Sequence, residues 1–222
     1  ELGVLYRGER ELCFLPLAHA YSCAFNFLVP MAVGAHVYLL GKVPSPKILL
    51  KAFEEVKPNL ILTVPLILEK IYKKMILPQL SKTTMKVALN IPLLDSRIYA
   101  QIRKKLVDAF GGRFREVIVG GAAMNEEVTN FLYKIKFPFT IGYGMTECGP
   151  LISYDHNDEY VPGSCGQILK GIMKVRIDSE DPYNKVGEIQ VSGENVMKGY
   201  YKNEEATSKV FTEDGWLRTG DL

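Results

Sequence analysis

Leu60-Ile61-Leu62-Thr63-Val64 is a near-continuous apolar run of strand length, and a strand of that pattern needs cover on both faces, as in a parallel sheet. Its flanks supply the cover. Upstream, Ser45-Pro46 reads as a helix start, a capping hydroxyl followed by proline in the first turn. Ile48, Leu49, Ala52, Phe53 and Val56 then recur at helical spacing until Pro58. Downstream, Pro65 opens a second helix to about Met75, and residues 76 to 94 carry no assignable pattern. Asp95 is expected to cap a helix with Ile98, Ile102 and Leu106 on one face, ended by Gly111-Gly112. Glu116-Val117-Ile118-Val119 is the next strand, and Gly120-Gly121-Ala122-Ala123 a loop of minimal side chains. Asn125 caps a further helix with Glu126 and Glu127 in the dipole-favoured first turn. Its buried face is Val128, Phe131, Leu132 and Ile135, and the strand Phe137 to Ile141 follows. Nearer the start, Glu11 to Leu17 reads as a short buried strand ended by Pro16, and Ala35 to Leu40 as another stopped by Gly41.

Strands alternating with helices from about 36 to 142 predict βαβ units, and so an α/β fold with helices flanking a parallel sheet. After Gly149 the texture changes. Lys174 to Ile177 and Gly187 to Val191 read as half-buried strands around the turn Asp181-Pro182-Tyr183-Asn184, and no helical period appears before Glu204. Residues 1–165 are therefore expected to form an α/β subdomain, and 166–222 a small β-barrel-like subdomain truncated at its end.

Parallel sheets take ligands in the crevice beyond the carboxyl ends of their strands. Two loops fall there. Gly120 to Ala123 offers bare backbone, and Gly142-Tyr143-Gly144-Met145-Thr146-Glu147 offers an aromatic ring between glycines. That ring could stack on a purine, while Thr146 and Glu147 supply the hydroxyl and anionic oxygen that a phosphate–Mg2+ group calls for. The same six residues also read as a plain turn with a core tyrosine and a solvated carboxylate, and alone they leave both readings open. His19, at the head of the apolar stretch Ala20 to Val33, is more often a structural histidine than a catalytic one.

The remaining glycine patterns carry no chemistry. Gly142-x-Gly144-x-x-Glu147 would set a carboxylate against a pyrophosphate, Gly166 to Ile172 lacks the Lys and Ser/Thr of a phosphate loop, and Pro162 to Gly166 lacks the first glycine of a nucleophile elbow. A net charge of +2 with no basic block argues against a nucleic-acid partner. The longest apolar run, Leu60 to Leu68, is too short for a transmembrane segment. Four cysteines without CxxC spacing and three histidines suit reduced thiols in a cytoplasmic protein better than a zinc site. With no initiating methionine, the chain reads as a piece of something longer.

Taken together, six segments resemble one family. They are Leu15 to Tyr21, Gly120 to Ala123, Tyr143 to Glu147, Gly187 to Gly193, Gly199-Tyr200-Tyr201 and Gly215 to Asp221. In that order they are similar to the core motifs of the AMP-forming adenylate superfamily, most closely its long-chain fatty acyl-CoA synthetases. The resemblance implies a two-step ligase using ATP, Mg2+ and coenzyme A. A fatty acid carboxylate attacks the α-phosphorus of ATP, and the coenzyme A thiol then displaces AMP from the acyl-adenylate. It also implies roles. Tyr143, between Gly142 and Gly144, would stack on adenine, with Gly121, Ala122 and Ala123 lining the purine slot. Thr146 would hold the α-phosphate, Glu147 the Mg2+, and Asp221 the ribose hydroxyls. His19 would sit by the carboxylate end of the acyl site. Peripheral membrane contact of the parent protein is left open.

Two departures stand beside the resemblance. The family's phosphate loop precedes the His19 motif, where this chain has only Glu1 to Arg10, and the family's C-terminal domain with its catalytic lysine follows the Asp221 motif. The isolated chain is therefore expected to bind nucleotide weakly and not to catalyse. An adenylation domain for an aryl or amino acid, and a catalytically silent nucleotide-binding module, are the alternatives.

Overall fold

Helix starts fall where the capping residues put them. In the computed structural model, which describes residues 3–91 and 94–222, the Ser45 hydroxyl accepts from the Ile48 N–H at 3.4 Å and the Asn125 carbonyl oxygen from the Val128 N–H at 3.2 Å. These caps open helices Pro46–Val56 and Glu126–Lys134. In chain order the elements are β1 (Arg10–Cys13), α1 (Ala20–Ser22), α2 (Val29–Val33), β2 (His36–Leu39), α3 (Pro46–Val56), β3 (Leu60–Thr63) and α4 (Pro65–Met75). They continue with α5 (Leu77–Leu80), α6 (Thr83–Ala88), α7 (Leu94–Ala109), β4 (Glu116–Val119), α8 (Glu126–Lys134) and β5 (Phe139–Ile141). The last are β6 (Met173–Asp178), β7 (Glu188–Gly193), α9 (Glu204–Val210) and β8 (Leu217–Arg218).

β1 to β5 form one parallel sheet in the order β2-β1-β3-β4-β5, and β6 to β8 a second, antiparallel sheet in sequence order. The expected α/β class, a parallel sheet flanked by helices and followed by a smaller β unit, is what the chain adopts. All four residues of β3 and of β4 are buried, which explains the apolar runs Leu60 to Leu62 and Val117 to Val119; the polar ends Thr63 and Glu116 are buried with them. Side chains alternate between two cores. Ile61, Val117 and Val119 pack with Phe53 and Phe110 under α3 and α7, while Leu60, Leu62 and Ile118 face Val4, Leu5 and Tyr154. Phe53 and Phe110 stack with ring centroids 5.0 Å apart. The turn after α7 needs its glycine. Gly111 has φ +93° and a β-carbon there would lie 2.5 Å from the Phe53 carbonyl oxygen.

Several local expectations shift. β1 is shorter than the Glu11–Leu17 run suggests. Among the described residues α7 runs from Leu94 to Ala109, so Asp95 lies within it, accepting from the Ser96 N–H at 2.6 Å. Part of the stretch without pattern becomes α5 and α6, with residues 92 and 93 outside the described ones. The apolar stretch after His19 is helical throughout, with a π-helical turn over Cys23–Leu28 between α1 and α2. Among the described residues no helix is long and apolar enough to cross a membrane.

The π-helical turn carries the fully buried Asn26, whose amide donates to Oε1 of the equally buried Glu11 at 2.6 Å, while Glu11 Oε2 has no partner among the described residues. Burial pushes the Glu11 carboxyl up to about 8 from an ordinary 4.5, against a smaller downward pull from Asn26. Between those values the folded chain holds a proton that the unfolded chain has released. Stability is therefore greatest below 4.5 and falls as pH rises through 8. Glu11→Gln, which keeps an acceptor for Asn26, should flatten this fall. Its stability relative to the parent should improve by about 2–3 kcal/mol between pH 6 and pH 9, at roughly 1.4 kcal/mol per pKa unit. Urea unfolding at both pH values measures it; parallel losses in the two proteins would show that Glu11 is not the titrating group.

Candidate active site

Both small-residue loops lie at the carboxyl ends of adjacent strands, Gly120 to Ala123 after β4 and Gly142 to Glu147 after β5. Gly121 to Ala123 of the first and Gly142 to Gly144 of the second line a common cleft of about 670 Å³. Gly121, Ala122, Ala123, Gly142, Tyr143, Gly144 and Asp221 all line it. Met124, Glu126 and Asn130 from the start of α8, together with Tyr160 and the segment Pro162 to Cys165, complete the wall. The cleft's volume suits a nucleotide-sized ligand.

Tyr143 is held from several directions. Its N–H donates to the Ser153 carbonyl at 3.1 Å, and its carbonyl accepts from the Ile152 and Ser153 N–H groups at 2.9 and 3.0 Å. Its hydroxyl donates to Oδ2 of Asp221 at 2.5 Å. Burial, and then the Asp221 carboxylate, raise the Tyr143 hydroxyl well above the usual tyrosine range, so the phenol stays neutral. Ring and carboxylate thus meet across the cleft, one from each sheet unit.

Thr146 and His19 do not line this cleft. They share a smaller adjoining cavity of about 50 Å³, whose walls Gly121, Gly142, Tyr143 and Gly144 also form. His19 Nδ1 accepts from the Tyr21 N–H at 3.3 Å, capping α1 and leaving Nε2 as the nitrogen free for another partner. The Tyr21 hydroxyl donates to the Ile118 carbonyl at 3.1 Å and fixes the floor below Gly120. Glu147 lines neither cavity; its Oε1 accepts from the Tyr200 hydroxyl at 2.8 Å. Its backbone carbonyl accepts from the Met197 N–H at 2.7 Å. The Asn195 amide donates to the Cys148 and Leu151 carbonyls at 2.6 and 2.8 Å. The second unit therefore pins the loop that carries Thr146 and Glu147. Cys148, Ile152, Met173, Val191 and Leu217 pack in a shared core beneath it.

Sequence reasoning gave no role to Asn195, Tyr160 or Tyr200. Tyr200 belongs to the quoted Gly-Tyr-Tyr motif, but only the fold brings it to Glu147, 53 residues away. Asn195 carries no local signal at all.

A parallel α/β sheet with a cleft of bare backbone, a neutral phenol and an opposed carboxylate at its carboxyl edge defines a ligand-binding α/β protein of the nucleotide-binding kind. The chain belongs to the AMP-binding enzyme family, whose model matches residues 3–201. It is 29% identical over 234 residues to long-chain-fatty-acid–CoA ligase 1 of Saccharomyces cerevisiae, covering 96% of this chain and 33% of that protein. It is 30% identical over 224 residues to 4-coumarate-CoA ligase 1 of Narcissus pseudonarcissus, covering 95% of this chain and 35% of that protein. The chain thus spans about a third of the length of the curated relatives it matches. Its fold superposes with a TM-score of 0.70 on O-succinylbenzoate coenzyme A synthetase from Bacillus subtilis in complex with ATP and magnesium ion. That match is 24% identical and covers 99% of this chain and 39% of that one.

If the cleft binds a purine, the Tyr143 ring should carry most of the energy. Tyr143→Ala is expected to weaken AMP binding by about 1–3 kcal/mol, the usual worth of base stacking. Tyr143→Phe, which keeps the ring and only releases Asp221, should stay within about threefold of the parent, about 0.7 kcal/mol. Calorimetric titration with AMP separates the two, and a large loss with Phe would put the function on the hydroxyl.

Proposed function

We propose that this chain is the nucleotide- and acid-binding core of an AMP-forming fatty acid–CoA ligase, with residues 1–165 and 166–222 as its two units. One observation carries the reading: bare backbone at Gly121 to Ala123, the Tyr143 ring and the Asp221 carboxylate converge on one cleft. In this reading adenine lies between Tyr143 and the small-residue wall, and Asp221 exchanges the Tyr143 hydroxyl for the ribose hydroxyls. Thr146, next door with His19, donates to the α-phosphate, and His19 Nε2 orients the acid carboxylate for attack. Coenzyme A would take the acyl group in the second step. Its place in the cytoplasm, with or without peripheral membrane contact, belongs to the same proposal.

The residues suit Mg2+. Among the described residues no cluster of three or more His, Cys, Asp or Glu could cage a metal by itself. A single carboxylate, Glu147, whose Oε2 makes no hydrogen bond among the described residues, matches an ion that keeps waters and shares its ligands with substrate phosphates. When bound, such an ion neutralises charge building on the leaving pyrophosphate.

The acid is read from a closed apolar slit. Tyr21, Phe25, Val29, Leu60, Leu62, Ile118, Leu151 and Tyr154 line it, with no charged side chain. It shares Tyr21, Ile118 and Leu151 with the His19 cavity, so an alkyl chain could run from one into the other once the slit opens. An amino acid's ammonium finds no carboxylate there. The test is a chain-length series on the full-length protein. Each added methylene from acetate upward should improve kcat/KM until the slit is filled, at about 0.8 kcal/mol each. Equal efficiency with acetate and palmitate would sink the alkyl assignment, and preference for a cinnamate-type acid would move it to the aryl class.

A further inference from the structure

Tyr200 reaches Glu147 from the opposite unit and is itself fixed at both ends. Its N–H donates to Oγ1 of Thr207 on α9 at 2.9 Å, and Thr207 Oγ1 in turn donates to the Asn203 carbonyl at 2.8 Å. Gly199 before it lies against Thr207 so closely that a β-carbon would come within 2.8 Å of Thr207 Cγ2. The tyrosine hydroxyl then meets Glu147 Oε1 at 2.8 Å. Together with the Met197 N–H on the Glu147 carbonyl, this fixes backbone and side chain of one residue from the same neighbouring segment. Oε2 of Glu147 makes no hydrogen bond among the described residues.

We infer that Tyr200 is a positioning residue: its hydroxyl holds Oε1 of Glu147 so that Oε2 is presented to a divalent cation carried by a nucleotide polyphosphate. The inference rests on the proposed role of Glu147. Its physical basis is general. A carboxylate that ligates a metal is oriented by a hydrogen bond to its other oxygen, and loss of that bond typically weakens the metal 10–100-fold. A free Glu side chain must also give up rotamer freedom when it ligates, which Tyr200 has already restricted.

The test compares Tyr200→Phe, Glu147→Gln and the parent as full-length proteins. Mn2+ is titrated by electron paramagnetic resonance in the presence of an unreactive ATP analogue, and AMP is titrated separately in chelator. Tyr200→Phe should weaken Mn2+ by about tenfold or more and leave metal-free AMP binding unchanged. Glu147→Gln should weaken Mn2+ at least as much. If Glu147→Gln weakens Mn2+ but Tyr200→Phe leaves it unchanged or tightens it, the positioning role is overturned and the metal role of Glu147 stands. If Glu147→Gln has no effect, the metal role itself fails, and the inference with it. Equal loss of AMP and Mn2+ binding in Tyr200→Phe would make the contact merely structural and would also overturn it.

Discussion

On the proposed reading, Glu147→Gln in the full-length protein is expected to lower the rate of acyl-adenylate formation by about 10²–10³-fold while changing the affinity for an ATP analogue in chelator, without divalent metal, by less than about threefold. The reason lies in when charge appears. Ground-state ATP arrives with its own counter-ions, and the purine cleft around Tyr143 and Asp221 does not touch Glu147. Negative charge builds on the bridging oxygen of the leaving pyrophosphate only as the acid carboxylate attacks. A group that holds a cation at that point acts on the transition state more than on the bound substrate. The amide of Gln keeps the size of the side chain and can still accept from Tyr200, so the loop held by Met197 and Asn195 should stay in place. Single-turnover formation of acyl-adenylate, beside equilibrium binding of an ATP analogue, separates the two effects. Near-normal turnover at limiting Mg2+ would remove Glu147 from the chemistry.

The parallel sheet was legible because its central strands β3 and β4 are buried on both faces, which writes three apolar residues in a row in each, between helices with polar caps. The cleft was legible because small residues around an aromatic ring leave a compositional mark, as at Gly121 to Ala123 and around Tyr143. What could not be read was every contact made at a distance. The Asn26 amide finds Glu11 only through a π-helical turn that no side-chain periodicity announces. Tyr200 and Asn195 reach the Glu147 loop only because the second sheet packs against it through Cys148, Val191 and Leu217. The two glycines beside Tyr143 also differ in a way the sequence does not show: Gly142 has ordinary contacts, while Gly144 lies hard against backbone.

That distinction sets the second large effect. A β-carbon on Gly144 would fall 1.8 Å from the Pro150 carbonyl oxygen, 2.8 Å from its carbonyl carbon and 2.9 Å from Leu151 Cα. No side chain can swing aside to make room, because every obstructing atom is main chain. Gly144→Ala must therefore part the two segments by more than an ångström and pull apart the pairing of Tyr143 with Ile152 and Ser153. Overpacking of this kind costs about 1–3 kcal/mol and more where backbone must move, and the broken hydrogen bonds add about 1 kcal/mol each. A loss of about 3–5 kcal/mol follows from these terms, or roughly 6–20 °C in Tm for a chain of this size. Because the Tyr143 ring rides on the same segment, AMP binding should fall by at least about tenfold, 1.4 kcal/mol, even at temperatures where the variant is folded. Gly163→Ala provides the contrast. Gly163 lines the same cleft at φ +84° with nothing within 4 Å of an added β-carbon, so its cost is backbone strain alone, about 1–2 kcal/mol. Thermal melts and AMP titrations of the two variants, side by side, decide the matter. A Gly144→Ala protein that melts and binds AMP like the Gly163→Ala one would show that the Tyr143 and Pro150 segments do not approach as closely as described.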